Sequence, residues 1–96
     1  MNLSDAVDAR SVISFDYDGL PRVVQPATYG VTSTGKNSLR GCLIDGASKR
    51  NPIPCWELYT EDKIVNLQAS GATFVDFLLP GYTRNDSVFV QIFAEH

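Results

Sequence analysis

The sequence has a single histidine, and it is the last residue, His96. That absence removes Ser-His-Asp and Cys-His catalysis, both of which need an oriented imidazole beside the nucleophile. Cys42 and Cys55 show no CxxC spacing and have no neighbouring histidine, so their surroundings offer no zinc ligand set. Both are expected to be reduced thiols packed as small hydrophobes in strands. A Gly-rich phosphate loop is missing too: Thr34-Gly35-Lys36-Asn37 lacks the upstream glycine and the hydroxyl after lysine. The paired carboxylates Glu61-Asp62 open a short helical turn, where they suit its positive end. No enzyme, no cofactor and no metal are expected. The longest nearly uncharged stretch, Leu67 to Pro80, is interrupted by Gly71 and Asp76 and falls short of the roughly 20 apolar residues of a membrane helix. The first ten residues carry Asp5 and Asp8 where a secretory signal has bases and an apolar run, so a cytoplasmic protein without a membrane partner is expected.

No repeat, low-complexity tract or composition break divides the chain, which reads as one domain over residues 1–96. Net charge is −3, but the signs are unevenly placed. Residues 1–20 hold four acids and one base, residues 21–56 five bases and one acid, and residues 57–96 six acids and two bases. A basic middle inside an acidic chain predicts a local anion site and excludes a histone-like coat for nucleic acid.

The patterning is mostly that of strands. Asn2 or Ser4 caps a short helix in which Leu3, Ala6 and Val7 share a face. Ile13, Phe15 and Tyr17 then alternate with Ser14 and Asp16, and Asp18-Gly19 supplies a tight hairpin turn. Pro21 to Thr32 is rich in β-formers but includes Pro26, which cannot donate to a ladder and predicts a bend. After a turn at Ser33–Lys36, Leu39, Gly41 and Leu43 alternate with Arg40, Cys42 and Ile44. Turn chemistry fills Asp45 to Pro54 and places Lys49-Arg50 on a loop. Cys55–Tyr59 is a strand with Trp56 and Leu58 on one face. Thr60 caps a helical turn, and strand pattern returns at Ile64–Gln68 and Ser87–Ala94. These elements predict a mostly β fold with a short N-terminal helix, its sheet bent into a small barrel so that closure hides the edges.

The order helix, Ile13-Ser14-Phe15-Asp16-Tyr17 strand, Arg22 with Pro26, Tyr29-Gly30, glycine turn and strand resembles the WYL domain. That family is a small Sm-like or SH3-like β-barrel found mainly in bacteria and phages. The resemblance spans about residues 1–70, with a barrel core at about 11–70 and a C-terminal extension carrying the final strand at 71–96. Of the family's Trp-Tyr-Leu signature only Leu39 is present, with Asn37 and Ser38 in place of the aromatics. A later aromatic-base-leucine segment aligns with Trp56-Glu57-Leu58, ahead of Lys63-Ile64, so an acid stands at a family base. The tail through Pro80-Gly81-Tyr82 and Asn85-Asp86 resembles short stand-alone WYL-like proteins. The resemblance implies a ligand sensor in regulation or defence that binds nucleotides or single-stranded nucleic acid through basic and aromatic residues. With no helix-turn-helix segment, a self-contained repressor is not expected.

The candidate ligand-binding residues are therefore Arg22, Arg40, Tyr29, Tyr59, Lys49 and Arg50. Arg22 and Arg40 on adjacent strands are placed to grip one phosphate through paired hydrogen bonds; the alternative is that each pairs with a carboxylate across the sheet. Tyr29 and Tyr59 are the candidates for stacking on a nucleobase. Trp56 is expected in the core, opposite in face to Tyr59. The rival to a nucleotide or single-stranded nucleic acid partner is a protein-interaction or self-associating module with no anion site.

Overall fold

The computed structural model describes residues 1–48 and 51–96. Asn2 caps helix α1 (Leu3–Asp8), its Oδ1 accepting the Asp5 N–H at 2.8 Å and satisfying one of the donors a helix start leaves free. Leu3, Ala6 and Val7 form the buried face. Arg10, at φ 53°, turns the chain straight into β1 (Ser11–Tyr17). Asp18 and Gly19 both adopt positive φ, 53° and 76°, between the paired Tyr17 and Leu20. This is the two-residue hairpin geometry that matches strand twist, and Asp-Gly is one of its preferred sequences.

The next strand, β2 (Leu20–Thr32), is the spine of the sheet. Along one edge β3 (Asn37–Gly46) pairs from Arg22 to Val31; along the other, β1 takes the first part and β6 (Phe89–Glu95) the last. The bend predicted at Pro26 is a bulge: the β2–β3 register shifts between Pro26 and Thr28, and Pro26 lies opposite Gly41. Beyond β3, β4 (Cys55–Thr60) pairs with it; a 3-10 turn (Glu61–Lys63) follows, and β5 (Val65–Thr73) returns to pair with β1.

The strand order is therefore β4-β3-β2-β1-β5, with β6 beside β2. The protein is mostly β with a short N-terminal helix, as the patterning predicts. Its antiparallel sheet is curled but not closed: among the described residues no ladder joins β4 to β5. Instead the Thr60 N–H, at the end of β4, donates to the Tyr17 hydroxyl at 3.1 Å, so a side chain bridges the seam at that point. Among the described residues no helix is long and apolar enough to cross a membrane.

The inner face of the curl is the core: Ile13, Phe15, Val24, Leu39, Leu43 and Tyr59 pack beneath the buried face of α1. The outer face has its own cover. Residues 74–83, apolar apart from Asp76 as far as the Pro80-Gly81 turn, run irregularly across it. Gln25 holds them by both ends of its amide, donating to the Asp76 carbonyl at 3.3 Å and accepting the Leu78 N–H at 2.8 Å. Trp56 Nε1 donates to the Pro80 carbonyl at 2.9 Å, and Phe77 packs on the indole with ring centres 5.0 Å apart. This cover explains why Cys42, on the outward-alternating face of β3, is fully buried. Trp56 is thus a half-buried anchor for the outer layer and does not join the main core.

The final strand departs from the expected alternation. Phe89 and Ala94 are both buried while Val90 and Phe93 are exposed. Two register shifts against β2, at Tyr29/Gly30 and Val31/Thr32, move the inward side by one residue partway along.

Candidate functional site

Arg22 begins the site. It stands near the start of β2, opposite Phe15 of β1 and Gly46 of β3, and is only 5% exposed. Its guanidinium lies 5.8 Å from the Tyr17 ring centre and 6.0 Å from that of Tyr59, within cation–π range. One Nη donates to the Tyr17 carbonyl over a long 3.5 Å, while the buried Nε has no hydrogen-bond partner. Among the described residues no carboxylate comes within ion-pair distance of it. A buried charge left this way carries a desolvation penalty of several kcal/mol.

Tyr59 presents a second unsatisfied donor. It is 1% exposed, and among the described residues its buried hydroxyl makes no well-formed hydrogen bond, with the Arg22 guanidinium as a polar neighbour. Burial pushes this phenol's pKa up, and the nearby Arg22 charge opposes that rise. Both side chains line one pocket of about 200 Å³. Tyr17 and Asp18 of the first hairpin, Glu57 and Leu58 of β4 and Lys63 of the 3-10 turn complete the lining. The pocket is thus built where the sheet fails to close. Arg22 borders the pocket with the little of its surface that stays exposed, and a guanidinium is the donor that an anionic group meets best.

The other expected residues do not gather here. Arg40 is neutralised by Asp86, Nε to Oδ2 at 2.9 Å, beside a second pocket of about 330 Å³ with Trp56 and Tyr82 on its wall. The two-arginine clamp is therefore corrected. Arg22 lies on the inner face opposite Gly46, whereas Arg40 lies opposite Thr28, past the Pro26 bulge, and alternates outward from Leu39. Tyr29 is also corrected as a free stacking platform: its hydroxyl donates to Glu61 Oε1 at 2.6 Å and its ring packs on Phe93. Tyr59 does lie on the opposite face from Trp56, but that face is the core, so its ring cannot stack on a base at open surface. Tyr59 contributes to the pocket lining from that buried position. Lys49 and Arg50 lie outside the described residues. The residues that reading the sequence missed are Tyr17, Asp18, Glu57 and Lys63; alternation along β4 did place Glu57 on the face of Tyr59.

The titrating groups predict how stability depends on pH. Tyr29 is pushed up to about 12, first by burial and then by its bond to Glu61. Burial also raises Tyr59, Tyr82 and both cysteine thiols. Each such group keeps its proton longer folded than unfolded, so its contribution is present below the unfolded pKa and lost as pH rises past it. His96 runs the other way: burial, then Arg10, lowers its pKa, and its contribution is lost as pH falls below about 6.5. Urea midpoints should form a plateau between about pH 6.5 and 8.5, then fall steadily toward pH 12. Tyr29→Phe should reduce the slope between pH 10 and 12 relative to the native chain; an equal slope refutes the assignment.

The chain matches no protein-family model, no curated protein and no solved structure.

Proposed function

We propose that this chain is a non-catalytic, cytoplasmic ligand-binding domain that takes a nucleotide by its phosphate in the pocket at the open seam, in a regulatory or defence-related role of the kind the WYL resemblance implies. The observation that carries the reading is Arg22, a buried guanidinium that lines the pocket and, among the described residues, has an unsatisfied Nε–H and no carboxylate partner. A phosphate in the pocket offers the guanidinium acceptors, and the bound anion offsets the penalty of the isolated charge. Lys63 adds a second cation at the mouth.

The dimensions favour a single small ligand over a strand. At about 200 Å³ the pocket is below the ~300–1,000 Å³ of drug-sized sites, and Asp18 and Glu57 in its walls repel a run of successive phosphates. Affinity in the micromolar to millimolar range is expected, weakening with salt as the exposed Lys63 is screened. Calorimetric titration of mononucleotides at low and moderate salt tests this. Arg22→Met should weaken binding by about 30-fold or more, the equivalent of one charge-assisted hydrogen bond at about 2 kcal/mol, while Arg40→Met should stay within about twofold. Unchanged affinity in Arg22→Met refutes the site.

A second reading, a protein-docking or self-associating module, is favoured by Val90 and Phe93, which stand 69% and 47% exposed on β6. Light scattering coupled to size exclusion distinguishes it: this reading requires association that Val90→Ser with Phe93→Ser abolishes.

A further inference from the structure

Glu57 is the least expected member of an anion pocket. By alternation it shares the inward side of β4 with Cys55 and Tyr59, and its cross-strand neighbour is Gly41. That neighbour has no side chain, and a Cβ there would lie 2.4 Å from Val24 Cγ1, so β3 offers the carboxylate no lateral partner. Among the described residues its one side-chain hydrogen bond comes from the Cys55 thiol at 3.7 Å, a weak donor. Arg22 and Lys63 line the same pocket, yet among the described residues neither forms an ion pair with it. A carboxylate has about four acceptor positions, so among the described residues Glu57 is a half-buried acceptor short of donors, lining the same pocket as Arg22.

We infer that Glu57 is a specificity-determining residue: the ligand carries, besides its anionic group, an exocyclic amine whose N–H Glu57 accepts. The inference rests on the nucleotide reading above and narrows it. Cytosine, adenine and guanine each carry an exocyclic amine, and a carboxylate accepting from the cytosine N4 amine is an established pairing geometry. Uracil and thymine keep a ring N3–H but have no exocyclic amine, and turning O4 at position 4 toward a carboxylate brings two acceptors together. A site built to accept a hydrogen bond discriminates strongly against an analogue that cannot donate it, because the buried polar group is left unpaired. Arg22 therefore holds the phosphate and Glu57 reads the base.

The test compares cytidine and uridine monophosphate, which differ at position 4 of the base, by calorimetric titration of the native chain and of Glu57→Gln. The native chain should bind the cytidine nucleotide at least tenfold more tightly. In Glu57→Gln, whose carboxamide can donate to O4, the ratio should fall to within about threefold. Equal affinities of the native chain for the two nucleotides overturn the role of Glu57 and leave the phosphate pocket standing. A tenfold preference that survives Glu57→Gln, with the variant's thermal melt unchanged, overturns it as well. Failure of both nucleotides to bind the native chain overturns the pocket reading and, with it, this inference.

Discussion

Arg22→Met is expected to raise the protein's stability while removing its ligand binding. The side chain is almost wholly buried, and its charge meets two aromatic rings and one long bond to a carbonyl. Methionine has a similar length, adapts to irregular space and has no donor to leave unpaired. Replacing buried charged groups by apolar ones of similar volume is often neutral or stabilising by about 1–4 kcal/mol, and here there is no ion pair to lose. The urea midpoint should therefore rise with an unchanged denaturant slope, the signature of a pure stability change. Tyr59→Phe should act in the same direction by about 1 kcal/mol, because it deletes a buried hydroxyl that makes no well-formed hydrogen bond among the described residues. Stability given up at a site is what a binding residue costs a fold and what a structural residue does not. A drop in the midpoint of Arg22→Met would make the arginine part of the scaffold.

The opposite behaviour is expected at Gly30. A Cβ there would lie 2.1 Å from the Gln91 carbonyl oxygen and 3.0 Å from Ile92 Cα. Both atoms belong to the β6 backbone, so no rotamer change relieves the clash. Gly30 sits where the β2–β6 register slips, opposite Ile92, and the slip brings the two chains too close for any side chain. β6 in turn supplies buried Phe89 and Ala94. Gly30→Ala should cost about 3 kcal/mol or more, at or beyond the upper end for overpacking, and β6 amides should lose hydrogen-exchange protection before those of β3. Gly19, at φ 76° with open space around it, is the contrast: alanine there should cost only the left-handed backbone penalty of about 1–2 kcal/mol. A Gly30→Ala chain that melts like the native one would mean β6 is not docked as described.

Local chemistry made much of this fold readable. Asn2 before an apolar face, Asp18-Gly19 between alternating runs and Pro26 inside a β-rich segment each act within a few residues, so the helix, the hairpin and the bend are all visible in the pattern. The two-sided burial of the sheet was hidden because it depends on residues 74–83 meeting Gln25 and Trp56, which are distant in sequence. Alternation places Tyr59 opposite Trp56 but cannot say which face is the core. When a tail covers the outer face, aromatics on both sides have buried partners. The same limit separated the two arginines. Their positions either side of a turn suggested convergence, and only the bulge after Pro26 and the opposite facing of β3 residues keep them apart. Closure of the sheet was over-read for a similar reason: whether β4 and β5 zip together is decided by Tyr17 and the 3-10 turn, which leave a gap with Arg22 in its wall.

The Arg22 Nε–H is the most direct reporter of the central claim, because it is buried, unpartnered and at the pocket. In a nitrogen-15 labelled sample its side-chain resonance should be followed while cytidine monophosphate, and then inorganic phosphate alone, is titrated in. The account predicts a saturable shift of that resonance with both additions, together with slowed hydrogen exchange at that site, and little change at Arg40 Nε, which Asp86 already occupies. Saturable shifts around Arg40 and Trp56 with the Arg22 resonance unmoved would contradict it.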